Sequence, residues 1–92
     1  MSIGGAGPDP AMLAAARSSD VRARMSLAAR RDVPRELLFF LAADLAPTVR
    51  RLIAQNPQSP LEADLILARD REDAVRDGLV RKTVDRIPGN EE

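Results

Sequence analysis

Apolar positions between residues 10 and 86 recur at three- and four-residue intervals and nowhere alternate with period two over the length of a strand. That spacing predicts an all-helical chain. Prolines and small polar residues divide it at intervals of ten to fifteen residues, because proline removes a backbone donor and clashes with the preceding turn. The predicted helices span 10–17, 20–30, 34–44, 48–55, 60–68 and 71–86. Their starts lie at Ser19-Asp20, Val33-Pro34, Ala46-Pro47-Thr48, Ser59-Pro60 and Asp70, which supply N-caps or proline in the first turn. Ser59 with Glu62 has the spacing of a capping box, and Asp70 with Asp73 resembles a weaker one. At 100° per residue, Leu37, Leu38, Phe40, Leu41 and Leu45 fall on one broad stripe, while Phe39 points away from it.

The same pattern returns after 26 residues. Leu27-Ala28 corresponds to Ile53-Ala54 and to Leu79-Val80, Pro34 to Pro60, Glu36 to Glu62, Leu41-Ala42 to Leu67-Ala68, and Asp44 to Asp70. Arg24, Arg50 and Arg76 form a third register. The expected architecture is a short α-solenoid of about two and a half helix-pair repeats. Residues 1–9 read as a flexible leader, 10–87 as a single helical-repeat domain and 88–92 as an acidic tail. A pair of such short helices cannot bury its own apolar face, so each unit must stack on the next. Met12 and Leu13 at one end, and Val84 and Ile87 at the other, are candidate covers for the ends of the stack.

The middle unit reads Val49-Arg50-x-x-Ile53-Ala54-x-Asn56-Pro57-x-x-Pro60, followed by Leu67-Ala68-x-Asp70. It resembles the leucine-rich repeat variant motif, a short relative of HEAT-like helical repeats. The first unit shares Arg24, Leu27-Ala28, Pro34, Leu37-Leu38, Leu41-Ala42 and Asp44, but has Ala23 and Arg30-Arg31 where that motif places Val and Asn-Pro. The middle unit has Ala63-Asp64 in place of a Leu pair. The resemblance implies a right-handed superhelix, and the longer 26-residue period implies fuller second helices than the family's. A known member of that family carries an iron–sulfur cluster on an added Cys-containing segment, a cofactor that does not carry over because this chain has no Cys.

Composition narrows the chemistry. The 92 residues contain neither Cys nor His, which removes thiol nucleophiles and the side chain best suited to proton transfer near neutrality. Ser18, Ser19, Ser26 and Ser59 have no imidazole to activate them, and Gly4-Gly5-Ala6-Gly7 lacks the Lys-Ser/Thr of a phosphate loop. The expectation is a non-enzymatic protein without metal or cofactor. The longest apolar run, residues 37–43, is too short to cross a bilayer, and the N-terminus lacks signal-peptide character. A cytoplasmic location is therefore expected.

Fourteen basic residues balance fourteen acidic ones, yet residues 17–51 carry +4 and residues 52–92 carry −3. Three surface features follow. Phe39 and its counterpart Leu65 are either buried between neighbouring units or exposed as an apolar ridge for a partner. Arg30, Arg31 and Arg35 are either a solvated face or a binding patch. Asp44 with Arg50, and Asp70 with Arg76, are expected to act structurally, by capping or ion pairing between units. Ser18 stands where the first such Asp belongs, which predicts that Arg24 lacks a partner. The favoured role is binding of another protein, or of a second copy in a homodimer or larger assembly. A regulatory module acting on an enzyme encoded nearby is a variant of that role. Nucleic-acid binding through the Arg-rich half is the alternative, although no aromatic stacking platform accompanies it.

Overall fold

The computed structural model describes residues 9–86. The predicted covering residue Ile87, the tail 88–92 and all of the leader except Asp9 lie outside them. The described residues fold into helices without strands: α1 Pro10–Ala16, α2 Val21–Ala28, α3 Arg35–Leu41, α4 Pro47–Gln55, α5 Leu61–Leu67 and α6 Asp73–Arg86. All six predicted segments are helical. Their starts fall within two residues of expectation, but α3 stops at Leu41 rather than 44. With seven residues each, α3 and α5 are shorter than the nine-residue α4.

Each helix packs against its neighbour in the chain and the next but one, with α2, α4 and α6 forming one row and α1, α3 and α5 the other. The interior lies between the rows. Leu27 and Ile53, Ala28 and Ala54, Leu37 and Ala63, Leu41 and Leu67, and Val49 and Val75 are all buried. The two members of each pair are 26 positions apart, whereas Ala42 is buried and Ala68, at the same interval, is exposed. Burying one Leu, Ile or Val side chain contributes about 1.5–3 kcal/mol, against the ordering entropy of short helices that would not persist alone in water. Small residues set the spacing within the first row. A Cβ on Gly78 would stand 3.1 Å from Gln55 Cγ and 3.4 Å from Ala54 Cβ, so α6 crosses α4 closely at that glycine.

The helix starts repeat as well. Pro34 and Pro60 are the N-caps of α3 and α5, and each carbonyl accepts the N–H groups three and four residues on. Because proline holds the N-cap, no side chain caps these helices. The predicted Ser59–Glu62 capping box therefore does not form, and Ser59 instead donates to Asp64 Oδ1 at 2.9 Å. Nor do Asp70 and Asp73 form a box: Asp70 Oδ1 accepts from the Glu72 N–H. Asp9 and Asp20 cap α1 and α2 by accepting from the Ala11 and Arg22 N–H groups.

Candidate functional site

Three turns lead into α2, α4 and α6 and share one hydrogen-bonding plan. Ser18 Oγ accepts from the Asp20 N–H, Asp44 Oδ1 from Ala46 and Asp70 Oδ1 from Glu72. The backbone carbonyls of Ser18, Asp44 and Asp70 accept from the guanidinium groups of Arg24, Arg50 and Arg76, six residues further on. Arg24 then reaches Asp44 with two bonds, of 2.7 and 3.2 Å, and Arg50 reaches Asp70 with two, of 2.6 and 3.1 Å. Arg76 meets Asp73 instead.

The geometry corrects the predicted pairing. Arg50 contacts the carbonyl of Asp44, not its carboxylate, because the second helix of each pair returns the chain so that an Asp 20 residues on lies against the Arg. Arg24 accordingly has a partner, and Ser18 supplies the carbonyl and turn acceptor of its register. With side chains only 7–17% exposed, the two forked pairs exchange strong hydrogen bonds away from most of the solvent. The Arg50 fork holds the Asp70 carboxyl below its ordinary value, opposed in part by burial, and Asp70 in turn raises the Arg50 guanidinium.

A second set of links joins the units through the first row. Asn56 Nδ2 donates to the carbonyls of Ala28 and Arg30, both at 2.8 Å. Lys82, 26 positions later, donates from Nζ to the Asn56 carbonyl at 3.2 Å and to Asp64 Oδ1 at 2.8 Å. Lys82 is buried. Neither it nor Asp64 stands out in the sequence as a candidate site, although both depart from the repeat: Asp64 occupies a Leu position and Lys82 an Asn position. Opposite charges at two simultaneous departures were the available signal.

The second row presents the apolar surface. Phe39 and Leu65 are 45% and 60% exposed, so neither is buried between neighbouring helices, and Phe40 and Ile66 beside them are 54% and 47% exposed. Phe40 thus leaves the predicted stripe: Leu37, Leu38 and Leu41 alone centre the buried side of α3. Leu45 leaves it too, because it lies past the helix end, and it is 95% exposed. An open hollow of about 700 Å³ runs beside α3, lined by Phe39, Phe40, Ala43 and Leu45 on one side and Ala16 and Arg17 on the other.

The arginines named as a possible patch are exposed but scattered in their contacts. Arg30 makes a forked pair with Asp32, which lowers the Asp32 carboxyl and raises the guanidinium. Arg35 lies 3.9 Å from Glu62, and Arg31 lines a small hollow with Gln55 and Pro57. Only Arg35, at the foot of α3, borders the apolar face with Phe39.

Among the described residues, no group of three or more acidic side chains is placed to hold a metal ion, and no helix is long and apolar enough to cross a membrane. The chain matches no protein-family model, no curated protein and no solved structure.

Proposed function

We propose that this chain is a short α-solenoid of about two and a half 26-residue helix pairs, similar to leucine-rich repeat variant proteins, and that it binds another protein without enzymatic activity. Support for the repeat comes from the matching depths of residues 26 apart and from hydrogen bonds that recur at the same interval. One observation carries the binding role. Phe39 with Phe40 and Leu65 with Ile66 stand exposed 26 positions apart on α3 and α5, which pack against each other, and exposed apolar side chains so placed are of the kind that marks interaction surfaces.

The Arg-rich half lends less to nucleic-acid binding. Arg24, Arg30 and Arg50 each spend their charge on a carboxylate. That alternative requires an affinity that falls steeply with salt and is lost in the Arg30→Glu, Arg31→Glu variant.

The test uses the immobilised chain and the same chain carrying Phe39→Asp and Leu65→Asp, each exposed to lysate from its own cells. A partner retained by the unaltered chain and lost from the variant is expected. Equal recovery on both baits overturns the assignment of this face.

A further inference from the structure

From the charges at its two edges, we infer that the apolar face of α3 and α5 pairs with the same face of a second copy, across a two-fold axis that sets the partner helices antiparallel. This rests on the reading of that face as a protein-binding surface and names its occupant.

Both helices begin at one edge of the face and end at the other. At the starting edge a hollow is lined by Arg35, Glu36, Phe39, Pro60 and Glu62. Its charged residues sum to one negative charge, and Arg35 is already beside Glu62. At the finishing edge the hollows hold Arg17, Arg69 and Arg71 together with the Arg24–Asp44 and Arg50–Asp70 pairs. Those two pairs neutralise themselves, and the exposed Glu72 beside Arg50 offsets only one of the three exposed arginines, which leaves the edge positive. The face is thus an apolar band between a weakly acidic edge and a basic one.

A face with that polarity repels a copy laid on it in the same direction and attracts one laid in reverse. A two-fold axis running across the middles of α3 and α5 produces the reversed arrangement, and the contact is then made twice. Phe39, Phe40, Leu65 and Ile66 meet their counterparts in the centre. Glu36 and Glu62 of each copy come to face Arg17, Arg69 and Arg71 of the other. Leu45, projecting past the end of α3, comes over the partner's starting edge, where Phe39 and Pro60 floor the hollow.

The experiment exploits the reciprocity. One variant reverses the acidic edge (Glu36→Arg, Glu62→Arg) and a second reverses the basic edge (Arg69→Glu, Arg71→Glu). All four positions are exposed, and circular dichroism checks that each variant keeps its helix content. In sedimentation equilibrium the unaltered chain is expected at twice its 10.0 kDa mass, and each variant alone at the single-chain mass. An equimolar mixture of the two is expected to regain the doubled mass, because each then offers the edge that the other needs. An unaltered chain that stays at single mass up to high micromolar concentration overturns the inference. So do variants that remain paired alone, or a mixture that remains unpaired. A single-mass result leaves the protein-binding reading intact, since that reading is decided by the bait comparison.

Discussion

Lys82 Nζ lies 2.8 Å from Asp64 Oδ1, and the two side chains are 5% and 18% exposed. Each residue breaks the repeat pattern at its own position, and each accounts for the other. A buried ammonium without a counter-charge is expensive, as is a sheltered carboxylate facing apolar neighbours. Together, with Ser59 donating to the same carboxylate and the Asn56 carbonyl accepting from Lys82, they satisfy one another.

Asp64→Leu, which restores the repeat's own residue type, should therefore destabilise the chain by on the order of 3 kcal/mol, because it strands Lys82. Lys82→Met should cost less, since Asp64 stays bonded to Ser59 and can turn toward water. The double variant should recover most of the loss. A double-mutant cycle by urea denaturation checks this, and strictly additive effects would show that the pair is not coupled.

Arg50 holds two helix pairs at once, through the Asp70 carboxylate and the Asp44 carbonyl. Lysine cannot reproduce a planar fork that reaches four acceptors, the two Asp70 oxygens and the carbonyls of Asp44 and Leu45. Arg50→Lys should cost about 1–2 kcal/mol and Arg50→Ala about 3 kcal/mol. Arg30→Ala, which removes an equally short but exposed pair, should leave the thermal midpoint almost unchanged. Loss of stability in Arg30→Ala comparable to that in Arg50→Ala would contradict the importance of burial here.

The acid limb of stability follows from the same contact. The folded-state pKa of Asp70 lies below the ordinary value of 3.8 because of the Arg50 fork. A group shifted in that direction contributes fully above its unfolded value and loses the contribution as pH falls through the folded one. Asp70→Asn should thus lower stability at pH 7 and flatten its fall below about pH 4. No histidine adds a step near neutrality. Urea midpoints at pH 7, 5, 4 and 3 check the slope. An unchanged acid limb in Asp70→Asn would remove this carboxylate from the account.

Gly78 sits where α6 crosses α4. An added methyl group would press only on Gln55 Cγ, the movable part of an exposed side chain, while Gly→Ala within a helix gains up to about 1 kcal/mol. Gly78→Ala should be neutral or mildly stabilising, whereas Gly78→Leu should push the two helices apart and cost about 1–3 kcal/mol. Thermal melts of the two variants separate a close crossing from an open one.

Helix positions were legible because Pro34, Pro47, Pro60, Asp20 and Asp70 punctuate an apolar rhythm, and those are local signals. The ion pairs were harder. Asp44 stands both six residues before Arg50 and 20 residues after Arg24, and both intervals recur in the chain. Only the return of the second helix, a tertiary fact, selects 20 for the carboxylate and leaves six for the carbonyl. The exposure of Phe39 and Leu65 was equally beyond a helical wheel, which marks them as lying off the main stripe without saying whether another helix covers them. Leu45 leaves the stripe because α3 ends at Leu41, and a helical wheel has no meaning beyond the helix.

The apolar face makes a final prediction about folding rather than binding. Leu41 is fully buried and Phe39, two residues earlier on the same helix, is nearly half exposed. Truncating Leu41 to Ala removes packed methyl groups and leaves a cavity, which should cost about 2–5 kcal/mol. Phe39→Asp and Leu65→Asp should each cost the isolated chain about 1 kcal/mol, well short of Leu41→Ala, because only part of each side chain is buried. Their polar groups stay in water, and Asp lowers helix propensity only modestly. If instead either Asp variant unfolds the monomer as Leu41→Ala does, those side chains belong to the core, and the docking face described above does not exist. Urea titration at low protein concentration, where any self-pairing is dissociated, decides between the two.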